Sequence, residues 1–145
     1  MNHLDHHRVL TDSQHGFRAR RSCETQLISL IHELASALDK KKQHDIAVLD
    51  FSKAFDRVPH ERLLTKLQHY GVRGNTHRWI RSFLSERSQR VVVDSAAIES
   101  APVVSGVPQG SVLGPILFLV FINDLPDSVS SRTRLFADNC VSAVY

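Results

Sequence analysis

The chain has 145 residues, of which 42% are hydrophobic, and a formal net charge of +3. This length supports one hydrophobic core, so one domain or part of one, and excludes a string of independent domains. The charge balance is compatible with a nucleic-acid partner but equally with an ordinary basic surface. The longest apolar run, Ile116 to Ile122, falls far short of the ~20 residues a membrane span requires. Met1 is followed by His and Asp residues rather than a basic and then apolar leader, so no signal peptide is read. Cys23 and Cys140 have neither metal-ligand spacing nor a disulfide framework, which fits a reducing compartment. The expectation is an intracellular protein of the cytoplasm, the nucleus or both, with no membrane partner.

His3, His6 and His7 lie in a polar leader without a neighbouring cysteine, and read as a solvated, poorly ordered terminus rather than a metal site. Ser22 is placed to cap a helix beginning at Cys23, with Glu24 in the first turn, where the helix dipole favours acid. Leu27, Leu30, Ile31, Leu34 and Leu38 follow at helical spacing and predict one buried stripe. Lys40, Lys41 and Lys42 suit the exposed helix end, as a solvated cap rather than a phosphate-binding patch. Ile46 to Phe51 is nearly all apolar and predicts a central, buried strand. Pro59 fits the first turn of a second helix, with Leu63, Leu64, Leu67 and Tyr70 inward and Gly71 as its stop. A third helix, capped by Asn75, holds Trp79, Ile80, Phe83 and Leu84, with Trp79 read as core rather than as a base-stacking platform. Arg90 to Asp94 and Ile98 to Val104 predict two strands around a short polar turn. Gly106 to Gly114 is a loop rich in Gly and Pro, after which Pro115 opens a buried helix to about Asp124. Arg132 to Ala137 and Cys140 to Tyr145 flank the Asp138-Asn139 turn as a β-hairpin. Strands interleaved with helices predict an α+β fold with helices packed on one face of a sheet.

The chemistry is concentrated in acids at strand ends. Asp50 closes one apolar run, and Asp138 sits in an acidic turn flanked by apolar residues. Mg²⁺ takes oxygen ligands and keeps several waters, so a few carboxylates plus substrate phosphates suffice to hold it. Two such ions ~3.5–4 Å apart activate an attacking hydroxyl and stabilise the leaving oxygen of an in-line displacement. Asp50 and Asp138 can meet only if their strands are neighbours; taken alone the pair is a weak signal, because Asp at a strand end is commonly a turn former.

The stretch AVLDFSKAFDRVPHERLLTKL, then SGVPQGSVLGPILFLVFINDLP, then RLFADN, resembles motifs A, B and C of the reverse transcriptase of non-LTR (LINE-type) retrotransposons, in the family's order. The preceding QHGFRARRSCETQL resembles the segment that the family carries just before motif A. The resemblance implies a right-hand polymerase palm with a ferredoxin-like α+β core, residues 44–145, preceded by a fingers remnant, residues 1–43. It implies RNA-directed DNA polymerase activity on an RNA template, a DNA primer and dNTPs, with two Mg²⁺ ions, or Mn²⁺ as substitute. It makes Asp50 and Asp138 the catalytic metal ligands, with the backbone carbonyl of Phe51 contributing to the same metal. Phe55 matches the aromatic gate that excludes a 2′-OH, against the alternative of a core aromatic. Gln109 and Gly110 match the motif B loop beside the incoming nucleotide, where glycine lets backbone approach a ligand closely. Arg18, Arg20, Arg21 and Lys53 fall in segments where they either contact nucleic-acid phosphate or form solvated surface.

The chain departs from the family's pattern in three places. Motif C ordinarily carries a second Asp where Asn139 stands, and an amide oxygen supplies a ligand without charge. The segment Cys140 to Tyr145 differs from the family's short apolar run into Tyr and suggests a shifted or patched end. The chain also reads as truncated after motif C, with the thumb absent. Two readings therefore stand: a reverse transcriptase domain, and an inactive palm relic retaining at most weak nucleic-acid binding.

Overall fold

The computed structural model describes residues 2–43, 45–94 and 96–144. Its first helix, α1 (Asn2–His6), sits in the stretch read as a disordered leader. The correction has a simple cause: Leu4 and Leu10 enter the core, each 5% exposed, and tether the polar residues around them. Asn123 fastens the same segment, its amide donating to the Val9 carbonyl and its carbonyl accepting from the Thr11 N–H.

The second helix, α2 (Cys23–Asp39), starts as its sequence predicts, with Ser22 and Thr25 capping each other reciprocally. The Ser22 hydroxyl also donates to the Glu24 carboxyl and holds it below the usual range. The predicted stripe is not the packed one. Leu27, Ile31 and Leu38 are exposed, while Gln26 and Ala37 are buried. The helix is turned because Glu33 pairs with Arg132 and Arg134, which project from the sheet beneath it.

That sheet has the order β1-β7-β6, all antiparallel. Its strands are β1 (Asp45–Asp50), β6 (Arg132–Phe136) and β7 (Asn139–Val144). The apolar strand β1 is thus an edge strand rather than a central one, and every residue from Asp45 to Asp50 is exposed. Pairing partners, not hydrophobicity alone, decide a strand's place, and β7 is the sole neighbour of β1 among the described residues. On β6 the neighbours Arg134 and Leu135 are both buried, so both faces of the sheet are covered there, not one. The unusual segment after Asn139 forms an unbroken strand in register, with Cys140 and Ala143 buried.

The main core lies among helices. In α3 (His60–His69), Leu63, Leu64 and Leu67 are buried, and Gly71 ends the helix at φ +82°, a conformation glycine adopts freely. In α4 (Gly74–Leu84) the buried residues are His77, Ile80 and Leu84. Trp79 is 58% exposed, contrary to its reading as core, because α4 turns His77 inward to bond the Leu64 carbonyl. The most apolar helix, α5 (Leu113–Ile122), buries Leu117 to Val120 against α3.

Between α4 and α5 the two predicted strands are each broken in two. Strand β2 (Ser88–Gln89) pairs with β5 (Ala101–Pro102), and β3 (Val92–Val93) pairs with β4 (Ala96–Ala97). The polar turn predicted between them includes Ser95, and the predicted hairpin runs to Tyr145; both residues lie outside the described ones. No helix among the described residues is long and apolar enough to cross a membrane.

Candidate active site

The two acids that the sequence separates by most of its length come together at one end of the sheet. Asp50 is the last residue of β1 and lies directly opposite Asn139, the first of β7. Opposed residues of antiparallel strands project to the same face, with Cβ atoms about 4.5–5.5 Å apart. One residue on, the Phe51 N–H donates to the Asp138 carbonyl at 3.3 Å. Asp138 occupies the tight turn between β6 and β7, where the preceding Ala137 takes φ +53°. Asp50 and Asn139 are exposed and Asp138 is half-buried, so ligand oxygens face solvent.

The donor set is all oxygen: two carboxylates, an amide carbonyl and nearby backbone carbonyls. That chemistry suits a hard cation. The amide lowers its charge, and among the described residues no trio of His, Cys, Asp or Glu gathers into a metal-holding group. The Phe51 carbonyl already accepts the Ala54 N–H at 3.1 Å, which leaves it one lone pair.

The Asp138 turn is held from behind by a residue whose role the sequence did not disclose. Gln14 is 2% exposed, and its side-chain oxygen accepts from the N–H groups of Ala137 (3.0 Å) and Gly16 (2.7 Å). The Leu135 N–H donates to the Ser13 carbonyl, and its carbonyl accepts from the His15 N–H, each at 2.8 Å. Gly16 packs so closely that a Cβ there would overlap the Ala137 nitrogen. The only hint was that Gln14 and Gly16 lie inside the family-like segment.

From Asp50 the chain turns through a single 3-10 turn, Phe55–Arg57, into α3. This turn is stitched to the motif B loop: Val107 N–H donates to Phe55 O and Gly106 N–H to Val58 O, both at 2.8 Å. Gly106 has φ +90°, and a Cβ there would lie 2.8 Å from the Asp56 Cα, so only glycine allows the approach. The stitching brings Phe55 beside Gln109 and Gly110, which share with it a concavity of about 220 Å³. The Phe55 ring stacks on Phe118 with centroids 4.3 Å apart, so it is both a packed aromatic and a pocket wall.

The basic candidates divide. Arg18 donates to the Leu10 and Thr11 carbonyls, and Arg21 pairs with Asp12 at 2.6 Å. Arg20 is exposed, in a left-handed conformation. Lys53 is exposed at φ +52° and borders a groove with Gln109 and Arg87.

Residues 1–145 match the family described as reverse transcriptase (RNA-dependent DNA polymerase). The chain is 37% identical over 125 residues to the probable RNA-directed DNA polymerase from transposon BS of Drosophila melanogaster, covering 82% of this chain and 13% of that protein. It is 39% identical over 113 residues to the RNA-directed DNA polymerase from mobile element jockey of the same fly, covering 78% and 12%. It is 28% identical over 99 residues to a retrovirus-related Pol polyprotein from type-1 retrotransposable element R2 of Popillia japonica, covering 68% and 16%. The chain therefore spans between 12% and 16% of the length of these relatives. The chain belongs to the reverse transcriptase family, as its likeness to the enzymes of non-LTR retrotransposons implied.

Proposed function

We propose that this chain forms the palm of an RNA-directed DNA polymerase of a mobile element, residues 44–145, with residues 1–43 belonging to the fingers. The observation that carries this reading is the register of β1 on β7, which sets Asp50 beside the Asp138 turn. In the proposed reaction a primer 3′-hydroxyl attacks the α-phosphate of a dNTP opposite an RNA template, and pyrophosphate leaves. Asp50 and Asp138 are the residues that hold divalent cations, Mg²⁺ or Mn²⁺, with the Phe51 carbonyl and the Asn139 amide as neutral ligands. When bound, such ions neutralise phosphate charge and favour the ionised primer hydroxyl. In this reading the Phe55 ring meets the sugar and excludes a 2′-hydroxyl, and Gln109 and Gly110, which line the same concavity as Phe55, face the incoming nucleotide. Catalysis of this kind is mainly positioning and charge stabilisation, so the protein supplies rigid placement rather than covalent chemistry.

One observation favours a second reading, a palm that binds nucleic acid without extending a primer. Asn139 stands where a third negative charge would face Asp50. Losing one electrostatic group from a transition state costs on the order of 10²–10³ in rate. Primer extension on poly(rA)/oligo(dT) with Mg²⁺ or Mn²⁺ decides between the two. Incorporation that disappears in Asp50→Ala supports the polymerase; primer-template binding by this chain with incorporation only after Asn139→Asp supports the binding palm.

A further inference from the structure

The three lysines that follow α2 are exposed, as a solvated cap would be, but the turn they make separates them. Lys41 takes φ +53°, and the chain doubles back so that the Lys40 and Lys42 N–H groups both donate to the Ala37 carbonyl, at 3.1 and 3.0 Å. This reversal sets Lys40 and Lys42 on the wall of a cavity of about 360 Å³, with Lys41 outside it. Arg132 and Arg134 reach the same cavity from β6. Its wall therefore holds four cationic side chains and a single carboxylate, Glu33.

That carboxylate does not neutralise the cavity; it orders it. Glu33 Oε1 meets Arg132 at 3.3 Å and its Oε2 meets Arg134, so one acid holds both guanidinium groups. The Ser29 hydroxyl accepts from the same nitrogen of Arg134, Nη2, at 3.5 Å. Arg134 is only 8% exposed, yet its Nη1 is buried and has no hydrogen-bond partner among the described residues. A buried N–H group ordinarily finds an acceptor, and a charged donor bonds most strongly to an anion. The cavity thus combines an excess of positive charge, fork-shaped donors that match phosphate oxygens, and a buried donor still without a partner.

This cavity is separate from the polymerase site. Arg132 opens β6, and the Asp138 turn follows its last residue, Phe136, on the order of 13 Å along the strand. No residue of its wall is shared with the concavities that hold Asp50, Phe55 and Gln109. We propose that the cavity binds a small free phosphate anion, of the size of inorganic phosphate or diphosphate, clasped between α2 and β6. A nucleic-acid strand is the competing occupant, but its phosphates call for cations spread along a length, whereas these four converge on one recess. Bound there, the anion joins the end of α2 to the strand that leads into the Asp138 turn. The proposal does not rest on the polymerase reading, and neither falls with the other.

The full chain is titrated calorimetrically with sodium diphosphate and with sodium phosphate in buffer containing EDTA, so that no divalent ion draws either anion to Asp50 and Asp138. Saturable one-site binding is expected, tighter for diphosphate, with a rise in melting temperature because the ligand binds only the folded chain. In nitrogen-edited NMR spectra the side-chain N–H resonances of Arg132 and Arg134 should shift with diphosphate, while the backbone amides of Phe51 and Asn139 stay in place. Lys40→Gln combined with Lys42→Gln, both at exposed positions, should raise Kd about tenfold, whereas Lys41→Gln leaves it unchanged. Circular dichroism checks that each variant folds, and the Arg134 shift in the unaltered chain needs no variant. Absence of saturable binding overturns the site. Equal weakening by Lys41→Gln and by the double variant overturns it too, since general charge then accounts for the affinity. Shifts at Phe51 and Asn139 without any at Arg134 overturn it by placing the anion beside the polymerase acids. Displacement of diphosphate by oligo(dT) overturns it in favour of a nucleic-acid surface and leaves the polymerase reading intact.

Discussion

The side-chain oxygen of Gln14 accepts the backbone N–H of Ala137 at 3.0 Å, linking the first segment of the chain to the turn that presents Asp138. The same oxygen accepts the Gly16 N–H, so one buried atom satisfies two backbone donors. Removing it leaves both donors in a place where water does not replace the bond. An unsatisfied buried donor costs about 1–3 kcal/mol. Gln14→Met, which keeps the volume, is expected to lose roughly 2–4 kcal/mol in urea unfolding. Gln14→Glu keeps the acceptor and loses less per bond, which separates the hydrogen bonds from simple packing.

The opposition of Asp50 and Asn139 gives a second prediction that needs no catalysis. Asn139→Asp places like charges directly across two strands, an arrangement that destabilises a sheet. Without divalent ions the variant should melt below the parent. A cation that binds only the folded chain stabilises it by mass action. Mg²⁺ or Mn²⁺ should therefore raise the variant's melting temperature more than the parent's. An equal response of the two proteins to Mn²⁺ would show that residue 139 is not part of the ion site.

How far these relationships could be read from the sequence depends on how far apart the partners are. The helix α3 was legible because Leu63, Leu64, Leu67 and Gly71 are local signals, and the motif order was enough to pair Asp50 with Asp138. The stripe of α2 was misread because periodicity shows that a helix is amphipathic, not what it packs on. Its orientation depends on Arg134, 101 residues away from Glu33. Strand β1 is apolar as a central strand would be, yet edge position is a property of pairing, which the strand's own residues do not encode. Trp79 was assigned to the core by hydrophobicity, whereas the inward face of α4 is set by His77, Ile80 and Leu84. Gln14 was invisible as a support because its acceptor role exists only once residue 137 is alongside.

The His15 environment predicts a pH dependence of stability. Burial, with Arg21, Arg134 and Arg18 adding to it, holds the imidazole below its ordinary value of 6.5. The unfolded chain therefore takes up this proton first as pH falls. His15 contributes full stability above pH 6.5, and that contribution is lost as pH drops from 6.5 towards the folded-state value. His15→Asn should flatten the stability profile on the acid side of neutrality relative to the parent. Profiles that stay parallel down to pH 5, measured by urea midpoint, would show that another group carries any acid sensitivity.

The stitch between motif A and the motif B loop should be intolerant of the smallest side chain. Gly106→Ala introduces a Cβ 2.8 Å from the Asp56 Cα at a residue whose φ is +90°. Both the clash and the left-handed conformation oppose it, and the cost is on the order of 2–4 kcal/mol. The pocket formed by Phe55 and Gln109 should open before the core among α3, α4 and α5 does. Hydrogen exchange checks this: amides of Gly106 and Val107 should lose protection while those of Leu64 and Leu119 keep it.

The two cysteines should report the hairpin's integrity. Cys23 is exposed at the start of α2, whereas Cys140 is buried in β7 and burial pushes its thiol above the ordinary 9.0. The thiolate is the reactive species, so Cys140 is suppressed both by access and by protonation. With Ellman's reagent at neutral pH, Cys23 should react at once and Cys140 only when β7 separates from its neighbours. Because Cys140 pairs with Leu49 on one side and Leu135 on the other, its labelling rate measures opening of the strands that carry Asp50 and Asp138. Divalent ions that bridge those acids should slow Cys140 labelling and leave Cys23 unchanged; equal rates with and without Mg²⁺ would argue against a bridge across the two strands.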